Sequence, residues 1–491
     1  MSSNHTKNIN FYDNVENFYK KHSDLLLILE ERMSDDFNIP KKIFRDAMKR
    51  TLSEVLEGGP KKFLWTKEVS LKYKALYYLA MILFLFNSFF GKKIKEPISR
   101  KIAFDMWNIN AYEFYRGILS LLNKNDVLFY ITDNPNSFKK IDSEIIKVNA
   151  SKYLYDPHVS MKIFKTQFLS FSFYRNLSKQ LNVNIVHIVL NIFRTIAIYS
   201  THAKEISCYA MISAGDNYFN SLRYSIYKKN GIKNIVLLQN GLRTGEWAND
   251  SVDLYTYCDY YFGFGMDQIN IQKGMVCKNK IPFGSLKLDL TLSKYQNFQR
   301  KEKFDIVFLA SYEENDTPYI KVKTYEKILN NLCRFKKKYP NLRVYYSDKV
   351  RKLKSIKYNL MIDKLNSNGI VCYSRNINNS YEAILSSSVV LFYRTTIGLE
   401  ALAMDKPVLN LNYDEDRIPI SQEHYQSVLT SPSFNEFENR VLSLLHSRED
   451  NDKYDNKELK HSYMNNSSYK NLPKDLLDIV FKNYAPEKNS S

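Results

Sequence analysis

Residues 386–412 read SSSVVLFYRTTIGLEALAMDKPVLNLN, and this stretch decides the predicted fold. The apolar run Val389–Tyr393 predicts a buried strand, and Ile397–Met404 predicts a short helix after it. Asp405-Lys406-Pro407 ends that helix, and a second apolar run follows at Val408–Leu411. Two short apolar runs separated by a short helix are typical of a parallel βαβ unit. The stretch therefore predicts a parallel sheet in an α/β fold.

The turn between the first strand and the helix carries Arg394, Thr395 and Thr396. A cation and two hydroxyls at a helix N-terminus suit an anion, most often a phosphate. Glu400 follows one helical turn after Thr396, on the same face of the helix. Its carboxylate can accept hydrogen bonds from sugar hydroxyls. Phosphate donors followed by a ribose acceptor predict a nucleotide site.

The composition is that of a large, basic, folded protein. The chain has 491 residues, enough for two or three domains, and 14% of them are aromatic, which argues against general disorder. Lys and Arg number 71 against 52 Asp and Glu, which gives a formal net charge of +19. Such a charge favours a polyanionic partner, namely a nucleic acid, an anionic membrane face or a phosphorylated substrate. The alternative is that the Lys-rich composition reflects an AT-rich genome, because the Lys residues are scattered along the chain.

Several classes of site lack their sequence signatures. Five widely spaced Cys with no CxxC pair support neither a disulfide framework nor a zinc site. No Walker loop, GxGxxG after a strand, HExxH or GxSxG occurs. We therefore predict no metal site, no cofactor and no nucleic-acid partner. The first residues have no apolar signal region, so the predicted location is the cytoplasm.

One apolar segment could involve a membrane. Ala75–Phe86 reads ALYYLAMILFLF, with Lys72 and Lys74 before it and Lys92-Lys93 after it. A spanning helix needs about 20 apolar residues, so this run is short. Three interpretations stay open: a buried core helix, a helix lying on the inner face of the cytoplasmic membrane, and a spanning helix.

The pattern along the chain predicts two α/β halves after a helical start. Helical periodicity dominates the first hundred residues, and two series of alternating strands and helices follow, separated by a polar, basic stretch near 290–304. The predicted fold class is α/β with two facing Rossmann-like domains and an additional N-terminal helical region. The predicted divisions are 1–100, 101–295, 296–448 and a polar tail, 449–491, with a late helix. In such sheets ligands lie beyond the carboxyl ends of the strands, so residues that follow strands are the candidates.

The first half offers two carboxylates for general-base chemistry. Asp216 and Asn217 follow the predicted strand Cys208–Ala214 after Gly215. Asp216 could act as a base or contact an acceptor hydroxyl, or it could simply cap the next helix. Glu246 is a second candidate base.

Polar residues also follow the predicted strand Ile235–Gln239. Gln239, Asn240, Gly241 and Arg243 cluster there, with Gly241 allowing close approach of a ligand and Arg243 able to hold a phosphate or carboxylate. The alternative is that Asn-Gly is only a turn. Gly284 and Ser285 follow another predicted strand, and their donors could touch a phosphate or form a turn at a domain edge.

Two further candidates lie in the second half. Ser311 follows the strand Asp305–Ala310, and Arg375 follows Ile370–Tyr373. Each could contact a phosphate or a base, and Arg375 is alternatively a plain surface cation.

The chain resembles glycosyltransferases of the GT-B architecture, and more closely those of bacterial capsule and surface-polysaccharide biosynthesis. Three segments carry the resemblance: 213–243 (SAGDNYFNSLRYSIYKKNGIKNIVLLQNGLR), 260–289 with YYFGFG and IPFGSLKLD, and 380–411. Together they cover about residues 205–415. The resemblance implies a nucleotide-sugar donor held by the C-terminal half, with phosphate at Thr395 and Thr396 and ribose at Glu400. It also implies a glycan or lipid-linked acceptor.

One position departs from the family pattern. Family members often have Gln-His-Gly where this chain has Gln239-Asn240-Gly241. Asn cannot titrate, so the base would be Asp216 or Glu246. Two alternatives stay open: a teichoic-acid-type polyol-phosphate transferase with a CDP-activated donor, and a non-catalytic GT-B-like scaffold.

Overall fold

The computed structural model describes most of the chain. The described residues are 11–57, 64–92, 96–132, 135–138, 141–150, 154–216, 219–241, 254–270, 272, 274–295, 304–310, 322–348, 356–372, 379–393, 395–413, 428–446, 460–461, 463–466 and 471–482.

A seven-stranded parallel sheet forms the centre of the first half. Its strand order is β3-β2-β1-β4-β5-β6-β7, with each pair parallel. The first six strands have the order 3-2-1-4-5-6 of a doubly wound Rossmann-like sheet. The strands are β1 (Ile98–Met106), β2 (Val127–Ile131), β3 (Ile146–Asn149), β4 (Ile206–Ser213), β5 (Asn234–Leu238), β6 (Tyr257–Gly263) and β7 (Val276–Pro282).

A five-stranded parallel sheet forms the second half. Its order is β12-β11-β10-β8-β9, which is the flavodoxin-like order counted from β8. Phe392 of β10 is paired with Leu309 of β8, and β10 is buried along its whole length, as expected for a strand covered on both faces. The strands are β8 (Phe304–Ala310), β9 (Val344–Asp348), β10 (Ser387–Phe392), β11 (Val408–Leu411) and β12 (Val428–Leu429).

Helices cover the sheets and extend the first half. In chain order the helices used below are α1 (Phe11–Lys21), α2 (Ser23–Phe37), α3 (Lys41–Glu57), α4 (Lys67–Phe90), α5 (Ala111–Leu119), α6 (Pro157–Gln167), α7 (Phe171–Leu181), α8 (Ile185–Glu205), α9 (Ser221–Lys229), α10 (Met266–Asn270), α11 (Leu286–Lys294), α12 (Val322–Lys338), α13 (Ile356–Ser367), α14 (Ser380–Leu385), α15 (Thr396–Ala403), α16 (Phe434–His446) and α17 (Leu472–Phe481). The predicted fold class, two α/β halves with an N-terminal helical region, is confirmed.

The N-terminal helices share one core with the first sheet. Phe37 of α2 packs its ring 6.0 Å from that of Phe193 in α8, and Ser221 at the start of α9 donates a hydrogen bond of 2.8 Å to the Ile43 carbonyl in α3. Buried side chains of α1, α2, α3, α4 and the first sheet belong to a single apolar cluster. The helical start is therefore an integral part of the first half.

Two chain segments differ from their predicted conformation. Residues 98–106 form the central strand β1, which the sequence pattern did not indicate because exposed Ile98 and Ser99 precede the buried residues 102–106. In the predicted strand Ile370–Tyr373, the described residues 370–372 make one isolated bridge, Val371 with Tyr345, beside the edge strand β9. Gly369, at φ +76°, turns the chain just before that bridge.

Helix α4 is not the buried core helix that was one interpretation of its sequence. Tyr77 and Met81 are buried, whereas Leu79, Ile82 and Phe86 are exposed. Within the described residues, Val69–Phe90 is the one stretch long and apolar enough to cross a membrane, and 22% of its most apolar window is buried.

Candidate functional site

A cavity of about 380 Å³ opens between the two sheets. Its volume lies within the range of small-molecule sites, about 300–1,000 Å³. Both halves contribute to its walls. The first half contributes Phe114, Asn240, Phe264, Ser285 and Lys287, and the second contributes Leu309, Ala310, Ser347, Ser380, Tyr381, Thr395, Thr396, Ile397 and Glu400.

The cavity lies at the carboxyl ends of the strands in both sheets. In the second sheet the order reverses between β8 and β10. The last residues of β8, Leu309 and Ala310, and Thr395 in the turn after β10 line the cavity. In the first sheet the lining residues Asn240 and Phe264 follow β5 and β6. Parallel α/β sheets bind ligands at such a crevice, at the point where strand order reverses.

The β10–α15 turn presents a helix N-terminus to the cavity. Thr395 is the N-cap residue of α15, has extended backbone (φ −136°, ψ 134°), and makes no side-chain capping bond. Thr396 is the first helical residue and lines the cavity beside Thr395. Gly398 allows this helix to lie against its own strand, because a Cβ there would stand 2.1 Å from Cγ of Phe392. The turn therefore offers hydroxyls and the positive end of a helix dipole to a ligand.

Glu400 lies on the same helix, buried in the cavity wall. The Tyr381 hydroxyl donates a hydrogen bond of 2.6 Å to Glu400 Oε2. Burial raises the pKa of Glu400 above its ordinary value of 4.5, and this effect outweighs the opposing influences of the Tyr381 hydrogen bond and the Lys287 charge. Burial also raises the pKa of Tyr381, with the Glu400 carboxylate adding to the shift. The second carboxylate oxygen, Oε1, is the atom suited to accept from a ligand hydroxyl.

The opposite wall presents a second helix N-terminus. Ser285 caps α11, with its Oγ accepting from the Leu288 amide at 3.2 Å. Asn466 holds this turn, because its Oδ1 accepts from the Ser285 amide at 2.8 Å and its Nδ2 donates to the Ser285 carbonyl at 3.0 Å. Gly284 has φ +108°, and a Cβ there would stand 2.7 Å from Asn466 Oδ1. This conformation and this close approach both require glycine.

The charges in the cavity fit an anion accompanied by hydroxyl groups. Lys287, in the first turn of α11, is an exposed cation on the cavity wall. Together with the N-termini of α11 and α15 it makes the wall electropositive. Glu400 is the one carboxylate among the lining residues that the structure describes. Lys287 and the two helix N-termini would stabilise a phosphate, and Glu400 would accept a hydrogen bond from a sugar hydroxyl.

Gln239 acts within the first half. Its Oε1 accepts from the Phe264 amide at 2.8 Å, and its Nε2 donates to the Gly241 carbonyl at 2.8 Å and to Gln268 Oε1 at 3.0 Å. These bonds join the ends of β5 and β6, and among the described residues of this turn Asn240 lines the cavity. Gln239 and Gly241 thus hold the turn that places Asn240 in the cavity wall.

Asp216 lies at the end of β4, where the order of the first sheet reverses. Its side chain is buried and accepts a hydrogen bond of 3.0 Å from the Tyr261 hydroxyl, which in turn receives one of 2.6 Å from Gln272. It does not cap the next helix, since Asn220 caps α9. Asp216 is also not among the described residues that line the cavity.

A buried ion pair supports the same turn. Arg223 of α9 lies 3.0 Å from Asp105 at the end of β1, and Ser213 donates a hydrogen bond of 2.9 Å to the same carboxylate oxygen. The Gly215 amide donates to Ser213 Oγ at 3.1 Å. The network fixes the backbone that precedes Asp216.

Six predicted site residues lie outside the described residues. They are Asn217, Arg243, Glu246, Ser311, Arg375 and Arg394.

Four polar residues of the cavity were not predicted: Lys287, Ser347, Ser380 and Tyr381. Lys287 follows the predicted Gly284-Ser285 turn directly, so the same strand-end rule could have found it. Ser347 is the next-to-last residue of β9, and its hydroxyl lies 2.9 Å from that of Ser380. Tyr381 had no sequence signal, because only the fold brings it to Glu400.

Comparisons with known proteins find similarity in structure only. No protein-family profile and no curated protein sequence matches the chain. The UDP-GlcNAc 2-epimerase from Neisseria meningitidis bound to UDP-GlcNAc has a TM-score of 0.44 and 14% identity, covering 79% of this chain and 100% of that one. The Methanocaldococcus jannaschii UDP-GlcNAc 2-epimerase with UDP-GlcNAc and UDP has a TM-score of 0.43 and 13% identity, covering 78% and 100%. A CDPG-soaked variant of the wall teichoic acid polymerase TagF has a TM-score of 0.42 and 9% identity, covering 85% and 98%. Similarity at this level does not identify an activity.

Proposed function

We propose that this chain is a metal-independent GT-B-type glycosyltransferase, which moves a sugar from a nucleotide-activated donor to a growing bacterial cell-surface polysaccharide of the capsule or O-antigen kind. One observation carries the proposal. The N-termini of α11 and α15, from opposite halves, line one cavity together with Lys287 and Glu400. Donors for a diphosphate beside a buried acceptor for ribose hydroxyls match the phosphate and sugar parts of a nucleotide.

The donor site uses the second half of the chain. Thr395, Thr396 and the amides of the first turn of α15 bind the phosphates, with Lys287 reaching them from the opposite wall. Glu400 accepts from the ribose through Oε1 while Tyr381 holds Oε2. Arg394, Arg375 and Ser311 remain proposed donor ligands on the basis of sequence. A glycan or lipid-linked acceptor enters from the first half, beside Asn240.

In the transfer step the acceptor hydroxyl oxygen bonds to the anomeric carbon of the donor. The bond from that carbon to the phosphate oxygen breaks, and its electron pair leaves with the nucleoside phosphate. The helix N-termini and Lys287 stabilise the negative charge that develops on the leaving group. Closure of the two halves on the donor would exclude water and prevent hydrolysis.

The hydroxyl proton needs a base. Asp216, at the strand-order reversal of the first sheet, is our first candidate, and Glu246 is the second. Asp216 is buried and bonded to Tyr261, so this role requires the bound acceptor to reach the β4 turn. The histidine that family members often carry is replaced here by Asn240.

A thermal-shift screen tests the proposal and names the donor. The chain is mixed with CMP-, UDP-, GDP- and dTDP-sugars and with CDP-glycerol, and ligand-linked stabilisation identifies the nucleotide. We expect one sugar nucleotide to raise the melting temperature in a concentration-dependent way. Stabilisation by CDP-glycerol instead would favour a polyol-phosphate transferase, and no stabilisation by any of them would favour a scaffold.

Site variants then test the residue assignments. We expect Thr396→Ala and Glu400→Ala each to weaken binding of the identified nucleotide at least tenfold in calorimetry, since each loses about 1.4 kcal/mol or more of hydrogen bonding. Thr166→Ala and Glu326→Ala are matched controls, because Thr166 lies on α6 and exposed Glu326 lies on α12, both outside the cavity lining. Unchanged affinity in both site variants would exclude this nucleotide site.

A further inference from the structure

Helix α4 has one buried and one exposed face, and both are apolar. At 100° per residue the exposed side chains Leu79, Ile82, Leu83, Phe86 and Phe90 fall within an arc of about 100°. Leu79 is 54% exposed, Phe86 51% and Phe90 65%. These side chains run from Leu79 to Phe90, so the apolar face extends for about 17 Å along the helix. An apolar face of this length is more than scattered surface leucines.

The apolar face continues onto the neighbouring turn. Leu169, between α6 and α7, is 84% exposed. The residue before it, Phe168, packs its ring 5.8 Å from that of Tyr78 on α4. The exposed leucine therefore stands beside the helix and enlarges the patch.

The helices around this face carry many cations and very few acids. Residues 69–92 and 157–204 contain no Asp or Glu. These two ranges form nearly all of α4, α6, α7 and α8. Seven cations in these two ranges are exposed: Lys72, Lys74, Lys162, Lys165, Arg175, Lys179 and Arg194. Lys72 falls within the same arc of α4 as Leu79 and Phe90. An apolar stripe with surrounding lysines is complementary to a membrane surface rich in anionic lipid.

The buried face of α4 is held too firmly for the helix to leave the protein. The Tyr155 amide donates to Asn87 Oδ1 at 2.9 Å, and the Tyr73 hydroxyl lies 3.1 Å from Nδ1 of His187. Tyr77 packs its ring 5.5 Å from that of Phe171 and donates to the Gln167 carbonyl. A spanning helix would break these contacts, whereas a helix lying in the interface keeps them.

We propose that the exposed face of α4, with Leu169 and the surrounding cations, docks the protein in-plane onto an anionic lipid bilayer. The face of α4 enters the boundary between headgroups and acyl chains, and the cations contact the lipid phosphates. Docking on a second copy of the chain is disfavoured. A twofold interface through this face would bring the same cation-rich surface against itself. The surface is separate from the cavity, so the inference does not depend on the proposed function.

Vesicle flotation with the full chain tests this surface. We expect the protein to float with vesicles of phosphatidylcholine and phosphatidylglycerol, to float less with phosphatidylcholine alone, and to be released by salt. The variant Leu79→Ser/Ile82→Ser/Phe86→Ser should partition at least about tenfold more weakly because the buried apolar area is lost. The variant Lys72→Glu/Lys74→Glu should bind anionic vesicles more weakly by a similar factor, with no change in its binding to neutral vesicles.

The control is Ile356→Ser/Leu360→Ser, which removes two exposed apolar side chains from α13 in the other half. All of these variants alter exposed side chains, and unchanged melting temperatures verify their folding. The proposal would be overturned if the triple variant floated as well as the wild-type protein. It would also be overturned if the wild-type protein bound neutral and anionic vesicles equally. Light scattering tests the alternative of self-association. A dimeric wild-type protein, a monomeric triple variant and no flotation of either would contradict the proposal.

Discussion

At the scale of single residues, Glu400 combines two properties that usually oppose each other. It is buried, and it lies in a wall made electropositive by Lys287 and two helix N-termini. Burial raises its pKa, while Tyr381 and Lys287 favour its charged form. A carboxylate held in this way has one oxygen oriented by Tyr381 and the other suited to a ligand hydroxyl.

This burial predicts a pH dependence of stability. Since the pKa of Glu400 is higher in the folded state than its ordinary value of 4.5, folding takes up a proton. The resulting stabilisation is complete below the ordinary pKa and is lost as pH rises through the folded pKa. Glu400→Gln keeps an acceptor for Tyr381 and cannot titrate. We expect the free energy of unfolding of the wild type, relative to the variant, to rise as pH falls from neutral towards 4.5.

Denaturant unfolding of both proteins at several pH values measures this difference. The groups common to both proteins cancel in the comparison. A difference that stays constant with pH, or that falls on acidification, would mean that the pKa of Glu400 is not raised.

At the scale of elements, the turn into α11 depends on Gly284. Its φ of +108° and the contact with Asn466 together exclude a side chain. The turn aims the N-terminus of α11 at the cavity, and a segment far along the chain holds it there through Asn466. A displaced turn would move Ser285 and Lys287 out of the site.

Gly284→Ala and Gly231→Ala form a matched pair that separates strain from steric conflict. Both glycines have positive φ, but a Cβ at Gly231 meets no atom within 4 Å. We expect Gly231→Ala to cost about 1–2 kcal/mol of stability from backbone strain alone. Gly284→Ala should cost at least about 1 kcal/mol more, because Asn466 must move. Chemical denaturation measures both costs, and equal costs would contradict the packing of Asn466 on this turn.

At the scale of the whole molecule, the end of the chain returns to the first half. Buried Leu472, Leu476 and Val480 of α17 share a core with residues of β1, β2 and α5. Just before this helix, Tyr463 and Met464 join a cluster that contains Phe264 of the first half and Leu309 of the second. The C-terminal segment therefore ties the two halves together beside the cavity.

We expect Leu476→Ala to destabilise the protein by about 2–5 kcal/mol, since Leu476 is fully buried. Asp478→Ala, two residues later on the exposed side of α17, should change stability by no more than about 0.5 kcal/mol. Thermal and urea unfolding measure both variants. A Leu476→Ala protein as stable as Asp478→Ala would show that α17 does not pack on the first half in solution.

The sequence alone determined the alternation of elements and the β10–α15 turn. Apolar runs such as Val389–Phe392 are local signals, because a parallel strand is buried on both faces and a short helix must follow it. Thr395, Thr396 and Glu400 were predicted as one group for the same local reason, since helical geometry fixes which residues share a face. The cavity contains all three.

Only the tertiary structure decided which side chains line the cavity together and which predicted residues lie outside it. Lys287 belongs to the first half of the chain and Tyr381 to the helix that precedes β10, and only the folded arrangement brings both to Glu400. Asp216 follows a strand as predicted, yet its burial against Tyr261 depends on the neighbouring strand β6. The two apolar faces of α4 are alike in sequence, and only packing against α6, α7 and α8 determined which of them is buried.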